Sequence, residues 1–197
     1  KKQFLKDLKT FYHKSKKLIV IHQSTNKVNI NLKRKDKIIT FVGKLNSAKG
    51  YDIFGNTIIK ILDKYPKWKS LVIGDEPREK HIFNHKNLKV LGFQTHEKVL
   101  NIFAKSSIAV ACSRWEEPFG RTSLEASANG CAVIITNKGG LPETVTNAKI
   151  LKKLSVSSLE KSLNSLINDD KMRKKIQKLS IKNFFLTHKF VAKKIDD

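Results

Sequence analysis

The chain has 197 residues, enough for one full-sized domain and too few for a two-domain enzyme. With 40 % hydrophobic and 29 % charged residues, and only 9 Gly and 4 Pro, it has the makeup of a folded protein with a core, which excludes a disordered or collagen-like chain. Its 40 Lys and Arg against 17 Asp and Glu leave a formal charge of +23, so it should attract polyanions, whether nucleic acid, an acidic membrane face or a phosphorylated small molecule.

At the start, Phe4 to Tyr12 is weakly amphipathic and Leu18 to Ile21 is strand-like. From residue 38 onward, short β-branched runs alternate with segments of helical period, the pattern of a parallel sheet with crossover helices. Ile38 to Val42, closed by Gly43, is the first expected strand. A helix follows in which Ile53, Phe54, Thr57, Ile58, Ile61, Leu62 and Tyr65 share one face, ending before Pro66. Leu71 to Ile73 and Leu88 to Leu91 read as the second and third strands, with a short polar stretch between them. Thr95 reads as the N-cap of a helix that turns Val99, Leu100 and Phe103 inward. Ile108 to Cys112 is the fourth strand, Arg121 to Ala128 a helix, and Ala132 to Thr136 the fifth strand. Five strands in this arrangement predict an α/β fold, a Rossmann-like open parallel sheet with helices on both faces. In the tail, Ser157-Ser158-Leu159-Glu160 reads as a capping box before a helix with Leu159, Leu163, Leu166 and Ile167 inward, and at least two further helices are expected over 170–196.

The longest unbroken apolar runs, Ile108 to Cys112 and Cys131 to Ile135, have five residues, far short of the roughly 18 of a membrane-spanning helix. Both cysteines, Cys112 and Cys131, lie in these runs and read as buried, reduced thiols of a cytoplasmic protein. No secretory signal pattern precedes them, and the first Met is Met172, so the chain is expected to be a piece of a longer protein. Of the basic residues 35 are Lys and 5 are Arg, which leans away from a nucleic-acid reader built on planar Arg forks. The Lys excess, with abundant Ile and Asn, is also what AT-rich coding produces.

In an open α/β sheet ligands bind beyond the carboxyl ends of the strands, so the loops there carry the chemistry. Gly43-Lys44-Leu45-Asn46-Ser47-Ala48-Lys49-Gly50 puts two ammonium groups beside a helix entrance, an arrangement suited to phosphate. It matches neither a P-loop nor a dinucleotide turn, and on its own it reads more readily as a capped helix with solvated lysines than as a phosphate site. After the fourth strand, Glu117 stands in the loop and Glu125 about one turn into the next helix, so both can border one crevice. A carboxylate accepts from a vicinal diol, and a helix N-terminus beside it can hold phosphate; together these describe a nucleotide. Pro118 and Gly120 fix that loop. Gly139-Gly140-Leu141-Pro142-Glu143 adds a third turn at the same edge.

From about residue 17 onward, the order Gly43-Lys44-Leu45 with Lys49-Gly50, Gly74-Asp75, Gly92-Phe93, Glu117-Pro118-Phe119-Gly120 with Glu125, and Gly139-Gly140 with Pro142-Glu143 resembles the C-terminal, donor-binding domain of a GT-B-fold retaining glycosyltransferase of glycosyltransferase family 4. The E-x7-E element is its most specific part. The resemblance implies that Glu125 binds the ribose hydroxyls of a sugar nucleotide and that Glu117 contacts the donor sugar near its reacting carbon. It implies that Gly43 and the amides of Phe119 and Gly120 border the sugar and phosphate oxygens. Lys44 and Lys49 would neutralise the departing diphosphate, and the backbone around Phe93 would border the base. Residues 1–17 would be a remnant of an interdomain or N-terminal-domain helix, and 18–197 the nucleotide-sugar-binding domain.

Members of the family need no bound metal, and no metal site or other cofactor is expected here; His81 and His85, four apart, read as surface histidines on a helix, and His22 as structural. The sequence departs from the family pattern in having Lys44 where Arg is typical and in replacing the usual interdomain turn with Val20 to Asn26, and the family's N-terminal domain is expected to be missing from it. The expected function is therefore the donor half of a transferase that builds a polysaccharide or glycolipid in a bacterial-type cytoplasm, with a glycan or lipid-linked acceptor and an anionic inner membrane face as partners. Alone, the chain is expected to bind nucleotide without transferring sugar. Two alternatives are a basic nucleic-acid-binding α/β module, for which no recognised signature is present, and a sugar-nucleotide epimerase or glycogen-type phosphorylase on the same fold. The E-x7-E spacing favours transfer.

Overall fold

A computed structural model describes residues 20–196. The amphipathic stretch at Phe4 to Tyr12, the proposed remnant helix at 1–17, and Leu18 and Ile19 lie outside the described residues, and Val20 and Ile21 are not in a strand. In chain order the elements are β1 (Asp36–Val42), α1 (Tyr51–Lys64), β2 (Lys69–Ile73), β3 (Leu88–Val90), α2 (His96–Lys105), β4 (Ser106–Ala111), α3 (Arg121–Ala128), β5 (Ala132–Thr136), β6 (Ala148–Leu151), α4 (Val156–Asn168), α5 (Asp170–Lys182) and α6 (His188–Asp196). The strands form one sheet in the order β3-β2-β1-β4-β5-β6, and every neighbouring pair is parallel.

Alternation along each strand sorts the core into two layers. Ile39, Phe41, Val72, Ile108, Val110 and Ile134 pack on one face against Phe54, Ile58 and Ile61 of α1 and Leu159, Leu163 and Leu166 of α4. Ile73, Ala109, Val133 and Ile135 face the other way, against Val99 and Phe103 of α2 and Ala126 of α3. All five residues of β5 are buried, as a strand covered by helices on both faces must be. The doubly wound α/β arrangement expected from the sequence is thus the observed one.

Three details differ from the sequence reading. The sheet has a sixth strand, β6, whose four residues include Lys149 and a half-exposed Ile150; an edge strand needs apolar cover on one side only. The capping box before α4 sits at Ser155 and Ser158, not at Ser157 and Glu160: the Ser155 hydroxyl accepts from the Ser158 N–H, and the Ser155 N–H donates to the Ser158 hydroxyl. His81 and His85 lie in the coil between β2 and β3 rather than on a helix, and His85 is largely buried, bound to Asp63 at 3.2 Å.

The strand order reverses between β1 and β4, the switch point at which α/β sheets open a crevice for ligands. The loops after β1 and β4 therefore diverge around one opening. Away from it, Lys35 ties the entering chain to the far ends of two helices, donating to Phe103 O at 2.8 Å and Asn129 O at 2.6 Å. Carbonyls at helix C-termini suit a cation, although burial holds this ammonium below the usual lysine value.

Candidate active site

The loop after β1 is built by local capping. The Asn46 side chain accepts from Lys49 N at 3.0 Å, and Gly50 adopts a left-handed conformation, φ 74°, to start α1. A Cβ at Gly50 would collide with the carbonyl of Cys112, so only glycine lets this loop lie against the end of β4. The segment after β2 clamps the loop from outside. Leu45 N donates to Asp75 O at 3.2 Å, Asn46 Nδ2 to Glu76 at 3.1 Å, and Ser47 N to Glu79 at 2.9 Å, with His81 bound to Glu79 at 2.6 Å. The Ser47 hydroxyl bond, then His81, hold the Glu79 carboxyl below the usual range.

The loop after β4 crosses above. Arg114 N and Trp115 N both donate to Ala48 O, at 2.9 and 3.1 Å, and the Arg114 guanidinium grips both oxygens of Asp52 at 2.6 Å. Burial pushes the Asp52 carboxyl up, but the Arg114 bonds outweigh it and leave it lowered. Lys49 Nζ donates directly to Glu117 Oε1. The loop after β5 closes the third side: Gly140 N donates to Glu117 O at 2.6 Å, and Glu116 accepts from Gly139 N at 2.6 Å and Lys138 Nζ at 2.8 Å. Gly139, φ 53°, stands where a Cβ would strike the Glu117 backbone. The three loops singled out in the sequence therefore interlock through Ala48 and Glu117.

Two adjoining pockets open here. The inner one, of about 260 Å³, is lined by Gly43, Lys49, Ser113, Glu117, Gly120 and Arg121, among others. The outer one, of about 610 Å³, is lined by Gly43, Lys44, Gly74, Phe93, His96 and Glu125, again among others; Arg121 and Thr122 border both. Glu125 is 4 % exposed and accepts on Oε1 from Arg121 Nε at 2.7 Å and His96 Nε2 at 2.8 Å. Lys44 is exposed at the rim, and Phe93 is 80 % exposed beside the outer pocket. Pro118 and Phe119 line neither pocket. The Phe119 ring instead packs with Leu124, Ala128, Phe184 and Leu186, and stands 5.7 Å from the His22 ring. His22 also binds Glu143 at 2.8 Å, tying the segment before β1 to the loop after β5.

The family profile described as "Glycosyl transferases group 1" matches residues 22–183, which includes every loop just described. The chain belongs to this family. It is 31 % identical over 144 residues to the Saccharomyces cerevisiae phosphatidylinositol N-acetylglucosaminyltransferase GPI3 subunit, a match covering 68 % of this chain and 32 % of that one. The solved C-terminal domain of the group 1 glycosyl transferase LpcC from Francisella tularensis is 26 % identical with a TM-score of 0.67, covering 83 % of this chain and 93 % of that one. HepE from Anabaena, solved in complex with UDP and glucose, shares the fold at 18 % identity and a TM-score of 0.66, over 82 % of this chain and 47 % of that one. The chain spans less than half the length of the curated relatives it matches.

Within this glycosyl transferase domain, the structure brings together Gly43, Lys49, Glu117 and Gly120 in one pocket and Gly43, Lys44, Phe93 and Glu125 in the next. Sequence reasoning passed over Arg121, His96 and the Arg114 to Asp52 pair. Arg121 carried a legible signal, since it precedes Glu125 by four residues on one helix. His96 carried none beyond its place after the Thr95 cap, which accepts from Lys98 N. Among the described residues no three His, Cys, Asp or Glu side chains cluster to hold a metal, and no helix is long and apolar enough to cross a membrane.

Proposed function

We propose that this chain is the donor-binding part of a retaining glycosyltransferase that takes a nucleoside-diphosphate sugar and passes the sugar to a glycan or lipid-linked acceptor. The observation that carries the reading is the pair of adjoining pockets at the switch point, one holding Glu117 against Lys49 and the other Glu125. A sugar nucleotide needs both: a cationic place for the diphosphate and a carboxylate for the ribose diol. UDP bound to HepE, a protein of the same fold, supports that ligand class.

In this reading the base lies beside Phe93, the ribose at Glu125, and the diphosphate between Gly43-Lys44 and the start of α3. Breaking the bond from sugar to diphosphate leaves negative charge on the departing oxygen. Lys44, Lys49 and the backbone N–H of Gly120, which border the two pockets, are the donors the proposal calls on to meet it, whereas Phe119 borders neither pocket. One such preorganised contact commonly contributes roughly 10²–10³ in rate. Glu117, close to the reacting carbon, offers a carboxylate to a sugar that becomes positively charged as the bond breaks. The reading calls on no resident metal.

The acceptor wall lies outside this domain, so the chain by itself binds donor nucleotide and transfers sugar poorly, because half a cleft neither orients the acceptor nor excludes water. A lipid-linked acceptor fits the basic surface, since each Lys near an anionic bilayer contributes about 1 kcal/mol. Calorimetric titration with UDP, GDP, ADP and pyrophosphate at about 0.2 M salt, where diffuse attraction is largely screened, tests the donor site. One nucleotide binding at least ~10-fold better than pyrophosphate supports the reading and identifies the base. Equal binding of all four contradicts it.

A further inference from the structure

We infer that His96 is a positioning residue which, together with Arg121, aims Glu125 at the ribose of the nucleotide; the inference rests on the donor-site reading above. Glu125 has three side-chain torsions, and holding it in one rotamer costs conformational entropy unless partners fix it. Two partners do, and they come from opposite sides of the outer pocket. His96 is the first residue of α2, on the wall carried by the β3 end of the sheet, whereas Arg121 is the first residue of α3. Their donors converge on the same oxygen, Oε1, at 2.8 and 2.7 Å. Oε2 takes no hydrogen bond among the described residues.

An ionised carboxylate accepts on both oxygens. Saturating Oε1 with two donors fixes the plane of the group and leaves the acceptor capacity of Oε2 for a ligand hydroxyl. The donor role fixes the imidazole too, since Nε2 must carry the hydrogen that Glu125 accepts. The backbone that carries the ring is itself held in place. Thr95 caps α2 by accepting from Lys98 N at 3.4 Å, and Gln94 Nε2 donates to Leu91 O at 2.5 Å, so the backbone on which His96 stands is pinned at both ends of the turn. Arg121 alone would restrain Glu125 only along its own helix. His96 adds the cross-pocket restraint, and so links the spacing of the two walls to where the carboxylate points.

The consequence is a selective loss. A merely structural His96 would, when removed, weaken every ligand of the crevice in proportion. A residue that aims Glu125 would cost the ribose form of the nucleotide more than its 2′-deoxy form. The experiment titrates the wild-type chain, His96→Ala and His96→Gln with UDP, GDP and ADP, each with its 2′-deoxy counterpart, after circular dichroism and thermal melting have confirmed that each variant is folded. The wild type should prefer the ribose form of its best nucleotide by ~10-fold, as for one hydrogen bond to a charged acceptor. His96→Ala should bring that preference to within about twofold, and His96→Gln, whose amide nitrogen reaches about where Nε2 does, should restore most of it.

Full preference retained in His96→Ala, or a preference lost alike in both folded variants, overturns the inference while leaving the donor site standing. A wild type that binds nucleotide better than pyrophosphate but ignores the 2′-hydroxyl overturns it as well. Binding of all polyanions alike would instead count against the donor-site reading itself.

Discussion

The inner and outer pockets share a wall but are built differently. Around the inner one, Ala48 and Glu117 collect bonds from three loops, Arg114 forks onto Asp52, and Lys49 already holds Glu117. The outer one is more than twice as large and is bordered on one side by Phe93 and Gln94, in the segment that follows edge strand β3, with Phe93 almost free in solvent. A tightly braced cationic recess suits a group whose charge changes during reaction, because donors fixed beforehand need not reorganise. A wide, partly apolar recess with one restrained carboxylate suits recognition of a base and a diol. In the proposed reading, the same sheet edge separates chemistry from selection.

Substitutions that divide the two pockets test this contrast. The largest effect should come from Glu117→Gln, assayed in a transfer-competent protein that carries this domain: sugar transfer falls by at least ~10²-fold, while nucleotide affinity of the domain shifts less than about threefold. Wild-type turnover in that variant would break the distinction. Next, Glu125→Ala should weaken nucleotide binding by ~10-fold, the scale of one hydrogen bond to a charged group, with a far smaller change for pyrophosphate. Smaller again, Lys44→Ala should weaken nucleotide and pyrophosphate alike by a few-fold at low salt, and the difference should shrink as salt rises, because Lys44 is exposed. Calorimetry at two salt concentrations reads it.

The smallest effect concerns the brace itself. Because the Ser47 hydroxyl and His81 hold the Glu79 carboxyl below its usual range, its contribution to stability is complete above the ordinary carboxylate value. That contribution is lost as pH falls through the lowered one. Glu79→Gln, which cannot titrate there, should therefore lower the melting temperature slightly near neutral pH, and the gap to wild type should close below about pH 4. Melting curves between pH 2 and 7 check the sign.

The frame of the molecule was legible because its central strands are β-branched runs bounded by glycines, and Arg121 to Ala128 reads as the same helix in both views. Sites at strand ends follow from that frame, which is why the sequence alone puts Glu117, Glu125, Lys44 and Lys49 on one edge. β6 escaped because an edge strand of four residues with a Lys and an exposed Ile lacks the buried run that marks its neighbours. The ring of Phe119 turned toward Leu124 and Phe184 rather than the pockets, which a motif of backbone amides does not specify. His96 meets Glu125 across 29 residues of sequence, and no periodicity connects residues on two helices that converge only in space.

The most direct test of the donor-site reading is a crystal structure of the chain with the nucleoside diphosphate selected by calorimetry. The account predicts a ribose hydroxyl within hydrogen-bond distance of Glu125 Oε2, the base beside Phe93, and the diphosphate between Gly43-Lys44 and the first turn of α3. A nucleotide bound away from this crevice, or one in it whose ribose makes no contact with Glu125, would contradict it.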